Sequence, residues 1–190
     1  CSNVTKGHEW HEFINSHEPI ENPNKPKLSD LWTIIFTSGT TGNPKGVMLT
    51  YQAIDGIKVV LDDPNNPLGI KHTGNNDFIS YLPLNHIFER VVIEWCSFRY
   101  GGTISFVESI ETFGQNLKEV QPHVFAAAPR VWTKLQMGIL SKFPQKKLDT
   151  LLKIPLLSTI LKKLIRKGLG FSRVRVTVSG SAPMPVELIE

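Results

Sequence analysis

The chain has 190 residues, 41% of them hydrophobic and 20% charged, which suits a soluble globular protein that buries a single core. Its formal charge of +4 tolerates anionic ligands but does not indicate a nucleic-acid partner. The two cysteines, Cys1 and Cys96, exclude a disulfide framework and favour a reducing, cytoplasmic compartment.

The ends of the chain carry no targeting signal that we recognise. No segment is long and apolar enough to predict a transmembrane helix, and the first residues do not resemble a signal peptide. The chain begins with Cys1 rather than Met, and Pro185–Glu190 predicts a helix that is just starting. We therefore expect a fragment of a longer protein. A cut sheet would have unpaired strand edges, which favour self-association into a homo-oligomer.

Residues 1–30 are predicted to form an N-terminal helix and a linker. Gly7–Ile14 suits a short helix, and the Pro- and Asn-rich stretch Pro19–Pro26 suits a linker. Three histidines (His8, His11 and His17) lie here, but their spacing is not H-E-x-x-H and no cysteine is near. We interpret them as part of a solvated helix face rather than a metal site.

The stretch Thr37–Val47 concentrates hydroxyls, three glycines and Lys45 in one loop after Trp32–Phe36, which is predicted to be a buried strand. Glycines allow close backbone approach, successive N–H groups can form an anion nest, and a lysine suits phosphate. These features predict a polyphosphate-binding loop. The P-loop pattern is excluded because Pro44 precedes the lysine and Gly46 follows it. A Gly-rich turn with a solvated lysine is the weaker alternative.

From the loop onward, helices and strands are predicted to alternate. Thr50 is the expected N-cap of a helix whose inner side chains are Ile54, Ile57, Val60 and Leu61. Strand Asp77–Leu82 comes next, followed by a helix with Ile87, Val91, Trp95 and Phe98 at helical spacing, whose aromatic residues are expected in the core. Strand Thr103–Val107, helix Glu111–Val120 and strand His123–Ala127 follow. The last two predicted elements are a helix that starts at Pro129, with Trp132, Leu135 and Ile139 on its inner face, and strand Val174–Val178. This alternation predicts an α/β domain over 31–190, a mainly parallel sheet with helices on both faces.

Residues 142–168 combine eight basic residues with a run of leucines and only one acid, Asp149. Pro155 is predicted to divide the segment into two helices. A basic amphipathic helix pair can lie on an anionic membrane, which would make the protein peripheral at the inner face of a membrane. It can also dock its leucines on its own domain and leave its lysines in water. We prefer the second interpretation because most amphipathic helices of globular proteins do this.

Four motifs in order resemble the adenylate-forming superfamily. Thr37–Val47 matches its phosphate loop at every fixed position, and Leu82–Arg90 resembles its second core motif in the form typical of long-chain fatty acid–CoA ligases. Ala128–Trp132 is similar to that group's P-R-[VL]-[WYF] helix start, and Ser179–Met184 to the adenine-binding turn. The insertion at 142–168 falls where long-chain enzymes carry extra helices. The resemblance implies an internal fragment of the large N-terminal domain.

The resemblance also implies roles for residues at matching positions. The β- and γ-phosphates of ATP would be held by Thr37, Ser38, Gly39, Thr40, Thr41, Gly42 and Lys45. Thr40 would also contact the magnesium ion. His86 would lie at the mouth of the acyl tunnel, near the attacking carboxylate, and Gly180, Ser181, Ala182 and Pro183 would line the adenine and ribose. Some relatives have an aromatic tunnel gate at the position of Arg90, so the gating residue of this chain stays open.

The implied reaction is ATP-dependent activation of a long-chain fatty acid, with Mg²⁺ and coenzyme A as further participants. The fatty carboxylate would form an acyl-adenylate, and coenzyme A would then displace AMP. Acidic magnesium ligands and a catalytic lysine of the family would lie beyond Glu190, so we expect the fragment alone to be inactive. Two alternatives stay open: an adenylating enzyme for aryl or amino acids, or a non-catalytic nucleotide- or lipid-binding module.

Overall fold

A computed structural model describes residues 9–21, 23–37, 43–63, 70 and 74–189. Its strands are β1 (Leu31–Thr37), β2 (Lys45–Thr50), β3 (Asp77–Ser80), β4 (Thr103–Phe106), β5 (Val124–Ala127) and β6 (Val176–Ser179). Its helices are α1 (Trp10–Asn15), α2 (Tyr51–Leu61), α3 (Cys96–Tyr100), α4 (Phe113–Val120), α5 (Pro129–Leu140), α6 (Gln145–Leu152) and α7 (Pro155–Leu169). A π-helical segment, Glu89–Trp95, leads directly into α3, and Val186–Leu188 forms a 3-10 turn.

Four of the strands form a parallel sheet in the order β4-β3-β5-β6. Its central strands are apolar on both faces, since Phe78 and Ile79 of β3 and all of β5 are buried. A strand that is covered on both sides shows a continuous apolar run rather than alternation. The predicted α/β fold, a mainly parallel sheet with helices on both faces, is confirmed.

Each face of the sheet carries its own core. On one face Phe78, Val124 and Ala126 pack against the π-helical segment, α3 and Leu61 of α2. On the other face the core residues come from β3, β5, α4 and the turn after α7: Ile79, Leu117, Phe125, Ala127, Phe171 and Val174. The predicted start of α5 at Pro129 is confirmed, and Trp132 and Leu135 pack against this second core as expected.

The helix after Pro83 presents a different face to the core from the predicted one. Its buried apolar residues are Val92, Ile93, Cys96 and Tyr100, whereas Phe98 is 78% exposed. The prediction that Phe98 belongs to the core is wrong. A π-helical turn holds more residues than the 3.6 of an α-helix, so it rotates the following side chains relative to α-helical spacing. A seven-residue π-helical segment therefore changes which residues meet the sheet.

Strands β1 and β2 form a separate antiparallel hairpin. Only Ile35 of β1 is buried, and Phe36 is 63% exposed, so the prediction of a buried strand at 32–36 is wrong for the described part of the chain. Two paired strands without a third leave most of their side chains uncovered. The hairpin leads through Thr50 into α2, where Thr50 occupies the predicted N-cap position but makes no side-chain capping bond.

Helices α6 and α7 are divided at Pro155, as predicted. The expectation that the leucines of this segment dock on their own domain holds for Leu161, which is 6% exposed. It is wrong for Leu156, Ile160 and Leu164, which are all more than half exposed. In the described ranges, no helix is long and apolar enough to cross a bilayer.

Candidate functional site

Residues from three of the four sequence motifs lie at the carboxyl edge of the parallel sheet. The turn with His86 follows β3, Ala128 and Pro129 follow β5, and the turn Gly180–Pro183 follows β6. Parallel strands have their carboxyl ends at one edge of a sheet, and ligands of open α/β sheets bind outside that edge. The topology therefore brings three of the four motifs to one side of the molecule.

The hairpin frames the predicted phosphate loop. Thr37, the last residue of β1, pairs with Lys45, the first residue of β2, so antiparallel pairing closes the base of the loop. Lys45 is exposed and forms no ion pair with a described residue. An unpaired ammonium group at the base of a Gly-rich loop suits an anionic ligand. Ser38, Gly39, Thr40, Thr41 and Gly42 lie outside the described residues.

A cation–π contact connects the hairpin to the helix after Pro83. The guanidinium carbon of Arg90 lies 5.2 Å from the ring centroid of Trp32, which belongs to β1. Glu94 orients the same guanidinium, because Arg90 Nη1 donates to its two carboxylate oxygens at 2.8 and 2.6 Å. A cation–π contact between an arginine and an aromatic face stabilises the folded protein by roughly 0.5–2 kcal/mol. Arg90 stands where some relatives have an aromatic residue, and in this chain the aromatic ring beside that position is Trp32 of β1.

His86 lies in the turn that starts this helix, and hydrogen bonds define its ring orientation. Its carbonyl oxygen accepts the N–H groups of Glu89 and Arg90 at 3.0 and 3.1 Å. Its Nδ1 accepts the N–H of Phe88 at 3.2 Å, so the neutral ring carries its proton on Nε2. The side chain is half-buried and keeps Nε2–H as a donor. This arrangement suits a hydrogen bond to a carboxylate or phosphate oxygen.

The turn after β6 lies directly against the same helix start. A Cβ added at Gly180 would lie 2.8 Å from Cε2 of Phe88, closer than real side-chain contacts, so only glycine fits here without a shift. Ser181 adopts φ +70, a left-handed conformation that costs energy for a residue with a side chain. Ser181, Ala182 and Pro183 are exposed. The predicted adenine-binding turn is thus strained and accessible, and it is in contact with the His86 motif.

Two polar residues beside this edge, the buried Glu89 and the half-buried Tyr81, were not identified from the sequence. Glu89 is 1% exposed, and burial raises the pKa of its carboxyl, while hydrogen bonds from Ser80 and from the main chain of Leu82 and Tyr81 oppose the shift. The hydroxyl of Tyr81 donates to the carbonyl of Ala126 at 3.2 Å. Burial, followed by the charge of Glu89, raises the pKa of Tyr81 to about 12. The available signal was an acid three residues after His86 that lies beside the apolar residues Val91, Val92 and Ile93.

The described residues contain no group of three or more His, Cys, Asp or Glu side chains that could hold a metal ion. Thr40, the residue expected to contact magnesium, lies outside the described ranges, and so its role stays a prediction. Hydroxyl and carbonyl oxygens in a phosphate loop fit a magnesium ion that is bound mainly by phosphates.

Comparison with known proteins agrees with this geometry. A family model described as AMP-binding enzyme matches residues 3–190. The chain is 34% identical to long chain acyl-CoA synthetase 5 of Arabidopsis thaliana, over 93% of this chain and 30% of that protein. It is 33% identical to long-chain-fatty-acid–CoA ligase 5 of Mus musculus, over 90% of this chain and 27% of that protein. The chain thus spans about 30% of the length of the curated relatives it matches.

Solved structures share the fold. The A-PCP didomain of carboxylic acid reductase from Segniliparus rugosus, solved in complex with AMP, superposes with a TM-score of 0.62 at 24% identity. The superposition covers 90% of this chain and 23% of that one. The family model spans nearly the whole chain, the fold matches, and three of the four motifs lie at one edge of the sheet, so the chain belongs to the AMP-binding enzyme family.

Proposed function

We propose that this chain is the ATP-binding part of a ligase that activates a long-chain fatty acid as its adenylate and transfers the acyl group to coenzyme A. One observation carries the proposal: Trp32 contacts Arg90 and Phe88 contacts Gly180, so the hairpin, the His86 turn and the turn after β6 form one cluster. The relatives named as long-chain acyl-CoA synthetases support the substrate class, and the AMP bound to the solved neighbour supports a nucleotide ligand.

In the first step a carboxylate oxygen of the fatty acid attacks the α-phosphorus of ATP, which enters with its magnesium ion. A carboxyl O–P bond forms, the bond from the α-phosphorus to its bridging oxygen breaks, and pyrophosphate leaves. Two anions must meet, so fixed donors have to offset their repulsion. Lys45 and the backbone of its loop would hold the β- and γ-phosphates, and this keeps the leaving pyrophosphate in line.

His86 has a different role in this scheme. With Nδ1 occupied by the N–H of Phe88, its Nε2–H would donate to the attacking carboxylate or to an α-phosphate oxygen. The ring therefore positions and stabilises without being required to take a proton. Ser181 and the two residues after it are exposed, so that the flat adenine could approach the backbone of the turn.

In the second step the coenzyme A thiolate attacks the acyl carbon, and the bond to AMP breaks to leave the thioester. The described residues offer no group for this step beyond the cluster that holds the adenylate. We therefore expect the isolated chain to form no thioester, and we assign the complete reaction to the longer protein.

The test uses the complete enzyme that contains this chain. Lys45→Ala should slow pyrophosphate–ATP exchange about 100-fold, because one preorganised donor to developing charge is worth roughly that much. Lys134→Ala is the matched control, since Lys134 is an exposed lysine on α5. Exchange at the wild-type rate in the Lys45 variant would contradict the proposed phosphate site.

The substrate class needs a separate measurement. Pyrophosphate release should be followed for fatty acids of increasing chain length, and for aryl and amino acids in parallel. We expect the highest kcat/KM with long-chain fatty acids. A preference for aryl or amino acids would overturn the substrate assignment, and ATP binding without any pyrophosphate release would overturn the enzymatic one.

A further inference from the structure

Helix α7 has an apolar row that faces away from the domain. Leu156, Ile160 and Leu164 are spaced by four residues, so they share one face of the helix, and they are 73%, 56% and 56% exposed. On the opposite side, Ser158 and Leu161 are buried. The helix is therefore held to the domain by one face while a second apolar face is uncovered in the described structure.

Lysines accompany this uncovered face. Lys163 follows Ile160 by three residues and Lys167 follows Leu164 by three, so each lysine lies beside the apolar row on the helix surface. Neither forms an ion pair with a described residue. Arg166 differs, because its Nη2 donates to the carbonyls of Phe171 and Val174 at 3.2 and 2.6 Å.

A groove next to α7 is also lined by apolar side chains and lysines. It has a volume of about 530 Å³ and lies between α4, α5 and the carboxyl end of α7. Its apolar lining includes Ile139, Phe143 and Leu164, and three exposed lysines contribute to it: Lys118, Lys142 and Lys167. Leu164 and Lys167 belong to both the groove and the exposed row, so the two features form one continuous basic and apolar surface.

We propose that α7 docks on an anionic lipid bilayer, with Leu156, Ile160 and Leu164 in the boundary between headgroups and acyl chains and the lysines on the headgroup phosphates. The charge of the surface is complementary to such a membrane. Lysine is depleted in the centres of protein interfaces, whereas its long stem lets the ammonium group reach headgroups while its methylenes stay apolar. The surface thus suits a lipid better than a protein partner.

The first test is a local probe on the complete enzyme, so that membrane contacts elsewhere in the protein do not contribute. An environment-sensitive NBD fluorophore is attached to a cysteine at Ile160→Cys, and its emission is read with vesicles of phosphatidylcholine containing about 40 mol% phosphatidylglycerol. Ile110→Cys is the matched control, because Ile110 is an exposed isoleucine in the loop after β4. Native Cys96 is buried, and unsubstituted enzyme treated with the fluorophore gives the background.

We expect emission at position 160 to rise about threefold with anionic vesicles and to change little with pure phosphatidylcholine, while position 110 stays unaltered. Two results would overturn the proposal. One is an equal response at both positions or at neither. The other is apolar emission at position 160 before any lipid is added, which would mean that the rest of the enzyme covers this face.

The second test addresses the charges by vesicle co-sedimentation. Lys163→Gln and Lys167→Gln should each weaken the partition coefficient about fivefold at low salt, and about 0.5 M salt should remove the difference. Lys134→Gln, on the exposed face of α5 outside the groove, is the control. Unchanged partitioning of the Lys163 and Lys167 variants would contradict an electrostatic role. This proposal does not depend on the ligase reaction, because both readouts measure binding alone.

Discussion

The two ends of the parallel sheet are built differently. At the amino end, side chains bind the loops to one another: Asn76 Nδ2 donates to the carbonyl of Gly101 at 3.1 Å, and its Oδ1 accepts from Arg175 at 3.1 Å. At the carboxyl end, the turn after β6 has an exposed, left-handed Ser181 and exposed neighbours. One end is cross-linked by buried polar groups, whereas the other keeps its backbone available to a ligand.

A second polar group strengthens the amino end. His123, 9% exposed, accepts the N–H of Asp77 on Nδ1 at 3.1 Å, and Arg173 contacts both the Asp77 carboxylate and His123 Nε2. Burial lowers the pKa of His123, and the charges of Arg173 and Arg175 lower it further. At the carboxyl end, burial raises the pKa of Glu89. Both pKa shifts oppose the charged form of the side chain, and since one group is an acid and the other a base, their effects on stability have opposite dependences on pH.

The largest expected effect is on activity at the carboxyl end. Gly180→Ala would place a Cβ against the ring of Phe88 and displace the turn that carries His86. Because a shift of about 1 Å in a positioned group can cost 100-fold in rate, we expect pyrophosphate–ATP exchange to fall about 100-fold. The control is Gly114→Ala in α4, where an added Cβ meets no atom within 4 Å. Equal activity of the two variants would show that the close contact of Gly180 with Phe88 does not position the site.

The next effect is on stability at the amino end. Asn76→Ala would leave the carbonyls of Tyr100 and Gly101 without their side-chain donor at a buried position, at a cost of about 1–3 kcal/mol. We expect the apparent Tm of the complete enzyme to fall by about 3 °C or more, with exchange activity below that temperature within about twofold of wild type. Asn116→Ala is the control, because the side-chain oxygen of Asn116 accepts from Glu108 and Thr112, which are near it in the chain. A large loss of activity without a change in Tm would contradict the structural role.

The third effect is a pH dependence from the amino end. The pKa of His123 is lower in the folded protein than its ordinary value near 6.5, so the unfolded chain binds this proton more readily. Stability is therefore present above pH 6.5 and is lost as the pH falls toward the folded pKa. His123→Asn keeps an acceptor for the N–H of Asp77 but does not titrate. Between pH 7.5 and 5.5, wild type should lose about 2 °C more apparent Tm than this variant. Parallel curves would mean that His123 is not held neutral.

The smallest effect is the opposite pH dependence at the carboxyl end. The pKa of Glu89 is raised above 4.5 in the folded protein, so its contribution is present below that pH and is lost as the pH rises through the folded pKa. Glu89→Gln is neutral at every pH and similar in shape. The apparent Tm of the variant relative to wild type should therefore increase by about 1–2 °C from pH 4.5 to 7.5. A constant difference would show that Glu89 ionises as freely in the folded protein as in the unfolded chain.

Local patterns in the sequence were sufficient to predict the alternation of strands and helices. They also predicted the start of α5 at Pro129 and the division between α6 and α7 at Pro155. Proline acts on its own backbone and on its neighbours, so its effects can be read without the fold. The motifs also predicted the family, because they record residue types at fixed spacing. The roles of all the predicted site residues, from Thr37 to Pro183, stay predictions.

The tertiary structure alone decided which side chains face the core and which groups meet. The π-helical segment changed which residues face the sheet and left Phe98 at the surface, and Phe36 is exposed in a hairpin that has two strands among the described residues. The contact of Gly180 with Phe88 joins residues far apart in the chain, and the shifted pKa values of Glu89 and His123 arise from burial. Periodicity and spacing describe neighbours along the chain, whereas burial and long-range contacts depend on how the elements pack. For that reason the family of this protein could be inferred from its sequence, but the geometry of its candidate site could not.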